Sequence, residues 1–317
     1  MAVEAATGVR TGARRKARAV RLSIGDRAAL TLMVLVPTLV VGTFVWFPAV
    51  SSILLSFTNW DGIGGVGTAK WVGTQNYREI ATIYPPFWPA VEHNLIWLGF
   101  LTVVATPLGL LLAYELDKNI RGTRIYQSIF FLPVVLSLAI IGFIWQLIYS
   151  PTQGLINNLI GDPNGQGHVI DWLGNPKLNL WAILVAVGWR HAGYIMVLYL
   201  AGLKSVDPTL REAAVIDGAN EWQTFRRVIF PVMKPINIIV IVVTVIESLR
   251  GSFDLVYVIN GGKNGLELLN VLVYDNIVGE ASRIGYGSAL GTILLVISLG
   301  FIISFLFINF RREARDK

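Results

Sequence analysis

Residues 288–310 read SALGTILLVISLGFIISFLFINF, a run from Ser288 to Phe310 without one charged side chain. A helix of roughly 20 apolar residues crosses the hydrocarbon core of a bilayer, and this stretch is long enough to do so. Five others approach it: about 28–55, 95–115, 126–149, 180–203 and 231–249. Each carries at most one or two ionisable residues. Helices of this kind satisfy their own backbone hydrogen bonds, which lipid cannot do for them. Pro37, Pro48, Pro107 and Pro133 fall inside the stretches, and membrane helices tolerate such breaks where neighbouring groups take up the freed carbonyls. The expected fold is therefore all-α and integral to the membrane, with six transmembrane helices.

Composition agrees. The chain is 54% hydrophobic and 15% charged, with a mean hydropathy of +0.60, whereas soluble domains run nearer a quarter charged. It has no cysteine, which excludes disulfides, thiolate metal sites and cysteine nucleophiles. A net charge of +6 raises nucleic acid as a partner, but the charges cluster at loop ends between apolar runs. Membrane lipid, not nucleic acid, is the expected surroundings.

The positions of Lys and Arg set the orientation. The N-terminal tail has seven of them: Arg10, Arg14, Arg15, Lys16, Arg18, Arg21 and Arg27. The second loop has three, the fourth five and the C-terminal tail four, against six in the longer segments on the other side. Both termini are expected to face the cytoplasm. This divides the chain into a basic tail (1–27), a six-helix domain (28–310) with a large cytoplasmic loop at 204–231, and a short tail (311–317). The first apolar segment is read as a retained span, because it runs far beyond the roughly 7–15 residues of a signal h-region. Trp46, Trp60, Trp97, Tyr149, Trp172, Trp181 and Tyr286 gather near the proposed membrane edges, where amphipathic rings serve as anchors.

The fourth loop has its own architecture. Asp207-Pro208 reads as a helix N-cap with proline at the first helical position, and Gly218 as the residue that ends that helix. A second helix is expected from about Glu221 to Phe230, with Pro231 opening the next span. Glu212-Ala213-Ala214, three residues, Gly218 and then Ile229-Phe230-Pro231 resembles the EAA loop of ABC importer permeases. The usual Ile-x-Leu-Pro ending is replaced by Val228-Ile229-Phe230-Pro231, a mild departure. Further blocks are similar to sugar-type permeases in order: Ser56-Phe57-Thr58-Asn59-Trp60, Trp71-Val72-Gly73 with Asn76-Tyr77, Pro107-Leu108-Gly109-Leu110, Gly154-Leu155-Ile156-Asn157, and Phe253-Asp254 to Asn260-Gly261-Gly262.

The resemblance implies a type I ABC importer permease-like fold in the bacterial cytoplasmic membrane. It implies import of a sugar or related small polar solute by alternating access, with glycerol-phosphate compounds also within the family's range. Glu212, Ala213, Ala214, Asp217 and Gly218 would couple the chain to an ATPase subunit: Glu212 pairing at the interface, the alanines permitting close approach, Gly218 setting the bend. The implied partners are a second homologous permease, two ATP-binding subunits and an extracytoplasmic solute-binding protein. No cofactor is expected in this chain, and ATP and Mg²⁺ belong to a partner. Gly261-Gly262-Lys263-Asn264 has neither the spacing nor the hydroxyl of a phosphate-cradling loop, so the chain is expected to be a transport subunit and not an enzyme.

Ionisable groups at membrane depth are functional candidates. Arg190 and His191 sit about eleven residues into the fourth helix and Glu247 toward the outer end of the fifth, with Arg250 one turn on. Two readings stand: substrate-path groups that hydrogen-bond sugar hydroxyls, or an Arg190–Glu247 pair that fixes helix register. Asn94 and Gln146 are expected to bond between helices. His93, His168 and His191 are scattered without metal-ligand spacing, and His93 and His168 are read as solvated in external loops. An ion-coupled secondary transporter or channel is the alternative class, and it would leave the fourth loop unexplained. A membrane enzyme is a third, without a convergent catalytic constellation.

Overall fold

Proline shapes three helices of this chain by one device. A proline inside a helix lacks an N–H and drives its ring against the carbonyl four residues back. Here the residue before the proline bonds five residues back instead: Phe47 N–H to the Gly42 carbonyl, Thr106 to Leu101 and Phe230 to Phe225. Each is a single π-turn, two residues short of Pro48, Pro107 and Pro231. The wider turn lets the helix run on through the proline.

The computed structural model describes residues 23–118, 120–160, 169–250, 252–279 and 282–315. The tail residues 1–22, His168 and Lys317 lie outside them. Contacts divide the chain into two units, residues 1–51 and 52–317. The first holds most of α1 (Ile24–Leu55), which starts at a Ser23 cap and includes Arg27. The second carries α2 (Gln75–Thr82), α3 (Phe87–Asp117), α4 (Thr123–Val135), α5 (Leu138–Ile148), α6 (Leu155–Ile160) and α7 (Asn179–Ser205). It continues with α8 (Pro208–Ile216), α9 (residues 221–232), α10 (Lys234–Arg250), α11 (Ser252–Asn260), α12 (Leu269–Ile277) and α13 (Ile284–Arg315). Among the described residues the only extended pairing is one isolated bridge, Thr58 to Trp71.

Among the described residues five helical spans are long and apolar enough to cross a membrane, and six if one bent pair counts as a span. That pair corrects the single helix expected at 126–149. Helix α4 ends at Val135, Leu136 is extended, and α5 restarts at Leu138 with the Ser137 hydroxyl accepting the Ile140 N–H. The two axes differ by 101°. Pro133 already removes a bond from the last turn of α4, and Ser137 offers a fresh N-cap, so the break has a local cause. Pro231 does not open a span either; it lies within α9, and α10 begins at Lys234.

Helices α3 and α7 form the closest pair. A Cβ at Gly109 of α3 would lie 2.7 Å from the Ala192 carbonyl oxygen and 2.8 Å from the Ile195 Cβ of α7. Lipid supplies no hydrophobic drive for helices to associate, so such small-residue contact is what holds them. Around this pair lie two clusters of buried residues. Trp97, Leu101, Ile183, Leu184 and Leu255 fill one, and Leu116, Ile195, Met196, Leu203, Phe225 and Ile229 fill the other. Gln146 donates from α5 to the Val258 and Ile259 carbonyls of α11 at 2.8 and 3.0 Å. Asn94 accepts from Leu269 N–H at 2.9 Å.

Several aromatic residues expected as membrane-edge anchors are interior instead. Trp97 is fully buried, Tyr149 is buried with its hydroxyl on the Ala182 carbonyl at 2.8 Å, and Tyr286 packs edge-on against Tyr84. Trp172 donates to Asn157 at 3.0 Å. Apolar bulk and one polar handle suit a ring to either place, and tertiary packing chose the core. His93 is also not a solvated loop residue: it lies in α3, half-buried, with Nδ1 2.8 Å from the Glu267 carbonyl. The early blocks do meet, since Asn76 donates to the Ser56 and Thr58 carbonyls and Tyr77 bonds the Ser56 hydroxyl.

Replacing Gly109 by valine forces two helices apart or off rotamer, at about 1–3 kcal/mol for an overpacked contact. Detergent-solubilised Gly109→Val is expected to melt lower than the parent by scanning fluorimetry, whereas Gly300→Val, with open space at its Cβ, is expected to leave the melting temperature in place.

Candidate coupling loop and transmembrane polar cluster

Helix α8 is fixed at both ends by its own sequence. Asp207 Oδ1 accepts the Thr209 N–H at 2.9 Å and Pro208 sits at the first helical position. The Thr209 backbone and hydroxyl hold the Asp207 carboxyl below its ordinary range, because both bonds favour the ionised form. At the other end Gly218 has φ +79°. Its N–H bonds the Val215 carbonyl and the Ala219 N–H bonds Ala214, both at 3.0 Å. This paired closure is the Schellman motif. Immediately afterwards Asn220 caps α9, with Asn220 and Gln223 exchanging side-chain bonds at 2.8 and 2.9 Å, a capping box.

Those caps orient the helix. Residues three and four apart share a face, and Thr209, Glu212, Ala213 and Ile216 are exposed together. Ala214 is the one buried residue of α8, so the expected Ala213–Ala214 pair is split between an outward and an inward role. Asp217 is the C-cap, exposed, and Gly218 is exposed as well. Ile216 is 85% and Trp222 62% exposed. Both are apolar side chains bared on a loop that lies outside the candidate spans. The motif reading missed both, although an isoleucine beside the C-cap was a signal in plain view.

Within the membrane-spanning region the structure brings Arg190, His191 and Glu247 to one place. Arg190 Nη1 lies 3.6 Å from Glu247 Oε2, linking α7 to α10. His191 is buried, with Nε2 at 3.4 Å from the Thr106 hydroxyl and 3.2 Å from the Thr244 hydroxyl. The two hydroxyls are 3.3 Å apart. Thr106 and Thr244 escaped sequence reasoning because neither carries charge and each is paired only across helices. Arg250 is exposed and is not among the residues lining the cavity beside this cluster. The cavity lined by Arg190, His191, Glu247, Leu101, Leu138 and Val187 holds only about 10 Å³, room for about one water. Arg190 Nε is buried there without a hydrogen-bond partner. A sugar ring does not fit in this conformation. Among the described residues no group of three His, Asp or Glu side chains is placed to hold a metal ion.

Left-handed backbone costs an ordinary L-residue about 1–2 kcal/mol and asparagine less, and among the described residues nothing beyond its chain neighbours lies within 4 Å of a Cβ at Gly218. Backbone strain is therefore the sole internal penalty there. Gly218→Asn is expected to retain coupled ATP hydrolysis in the assembled complex and Gly218→Val to lose most of it; equal activity of the two would remove the bend from the mechanism.

Residues 105–316 match the family described as binding-protein-dependent transport system inner membrane component. Over 90% of its length the chain is 31% identical to a probable ABC transporter permease protein of Pyrococcus horikoshii, covering 97% of that protein. It is also 31% identical to the xylose/arabinose import permease protein XacH of Haloferax volcanii, over 81% of this chain and 80% of that one. Among solved structures, a bacterial ABC transporter involved in the import of the acidic polysaccharide alginate superimposes with a TM-score of 0.76. The match covers 90% of this chain and 96% of that one at 21% identity, a likeness of fold.

Proposed function

Because this chain belongs to the inner-membrane component family of binding-protein-dependent transport systems, the sugar-type permeases of ABC importers, we propose that it carries a sugar or related small polar solute across the cytoplasmic membrane by alternating access, driven through residues 204–231 by a separate ATPase. It is a transport subunit of a multi-pass membrane protein complex and not an enzyme; ATP hydrolysis belongs to another subunit. The observation that carries the coupling role is the exposed face of α8. Thr209, Glu212, Ala213 and Ile216 are offered outward by a helix that is capped at both ends. Glu212 supplies a charge, Ala213 close approach and Ile216 apolar area.

The partners in this reading are a second permease, two ATP-binding subunits holding ATP and Mg²⁺, and an extracytoplasmic binding protein that delivers the solute. Both termini face the cytoplasm, as the charge distribution requires. Arg190, His191 and Glu247 line the path, and the small cavity beside them is a closed stage of the cycle. The two roles of Arg190 and Glu247 are compatible: a 3.6 Å contact is loose enough to open toward a solute hydroxyl, while a charge at membrane depth is costly without a partner.

The experiment is co-purification and reconstitution. Solubilised from its native membrane, the tagged chain is expected to bring down an ATPase subunit, and proteoliposomes of the complex are expected to take up solute only with ATP inside-facing and binding protein outside. Transport by the lone chain would overturn the importer reading in favour of an ion-coupled carrier. Arg190→Leu, in a complex shown to assemble, is expected to cut uptake on the order of tenfold or more, since one lost charge-assisted bond is worth about 1.5–3 kcal/mol. Undiminished uptake would take Arg190 out of the path.

A further inference from the structure

Helix α8 is held to the rest of its unit by very little. It buries one alanine and packs chiefly on the following segment of its own loop. A cavity of about 430 Å³ opens between the loop and the end of α3, lined among others by Tyr114, Asp117, Lys118, Arg211 and Glu221. Across this gap α9 packs Phe225 against the Tyr114 ring, whereas α8 itself reaches α3 through charge.

Asp117 is the last residue of α3, where a negative side chain opposes the helix dipole. Its side chain is only 10% exposed, and Arg211 Nη2 donates to Oδ2 at 2.7 Å. The same nitrogen reaches the Leu203 carbonyl, in the last turn of α7, at 3.5 Å. One guanidinium on α8 thus spans the ends of the two most closely packed helices. Next to Asp117, Lys118 lies 3.6 Å from Glu221 of α9, 3.1 Å from Glu115 and 4.5 Å above the Tyr114 ring. The two limbs of the loop grip one acidic–basic dipeptide with opposite signs. The Glu221 side chain is 82% exposed, so Asp117–Arg211 is the firmer half.

We infer that the Asp117–Arg211 pair is the tether through which a displacement of α8 enters the α3–α7 pair. Arg211 is a positioning residue: it sets the angle at which its chain neighbours Glu212 and Ala213 meet the partner, and it passes the load to Asp117 and Leu203. Without this link α8 would reach the spans only indirectly, through α9, whose Phe225 and Ile229 are buried beside them. The inference rests on the coupling role proposed above for the loop.

Charge exchange in the whole transporter tests it. Arg211→Asp, Asp117→Arg and the double exchange are reconstituted with the second permease, the ATPase and the binding protein. Solute uptake per ATP hydrolysed is measured in proteoliposomes. Each single exchange is expected to lower that ratio on the order of tenfold, within the usual range of a coupling free energy, with basal hydrolysis retained. The double exchange is expected to restore most of it, as a pairwise interaction requires. Where a reversed charge blocks assembly, Asp117→Asn and Arg211→Gln read the same ratio. Unchanged ratios in the singles, a double no better than the singles, or failure of even the neutral variants to assemble each overturn the tether. Gly218→Val separates the two levels: if it abolishes coupling while these variants do not, only the tether falls, and if it too is silent, the coupling role of the loop falls with it.

Discussion

Inside a bilayer each backbone N–H and C=O must be satisfied within the protein, since an unpaired group in hydrocarbon costs several kcal/mol. That requirement makes the chain helical, and it decides how helices with proline are built. At Pro48 and Pro107 a five-residue turn replaces the four-residue one and the helix goes on, and Pro231 uses the same turn in the loop outside the spans. At Leu136–Ser137 the helix does not continue; it ends, turns through 101° and is capped again. The difference is local: a serine in position to start a new helix lies directly after the turn weakened by Pro133.

The same constraint places polar side chains. The π-turn at Leu101–Ala105 is followed at once by Thr106, which shares bonds with His191 and Thr244 across three helices. Arg190 and Glu247 pair one residue along α7 from this knot. A charge at membrane depth needs a partner or water, and here both are in reach, a carboxylate and a cavity of one-water size.

Outside the apolar region the design reverses. In the loop from Asp207 to Pro231, α8 is held by caps and an ion pair with only Ala214 buried, α9 anchors through buried Phe225 and Ile229, and Ile216 and Trp222 are left bare. On α8 the Glu212 and Ala213 side is turned outward and Ala214 inward.

What the sequence by itself determined is what short-range physics controls. Apolar length made the spans legible, Asp207-Pro208 and Gly218 made the limits of α8 legible, and the run from Glu212 to Pro231 identified the family. Each signal is complete within a few turns of chain. The tertiary structure alone decided which residues meet. His191 finds Thr106 and Thr244 across 85 and 53 residues, and Arg211 finds Asp117 across 94. Trp97, Tyr149 and His93 went to interior positions that their amphipathic character left open. Hydropathy and capping carry no information on which faces of two distant helices will touch. Close approach at residues such as Gly109 sets that, and it exists only once the helices have packed.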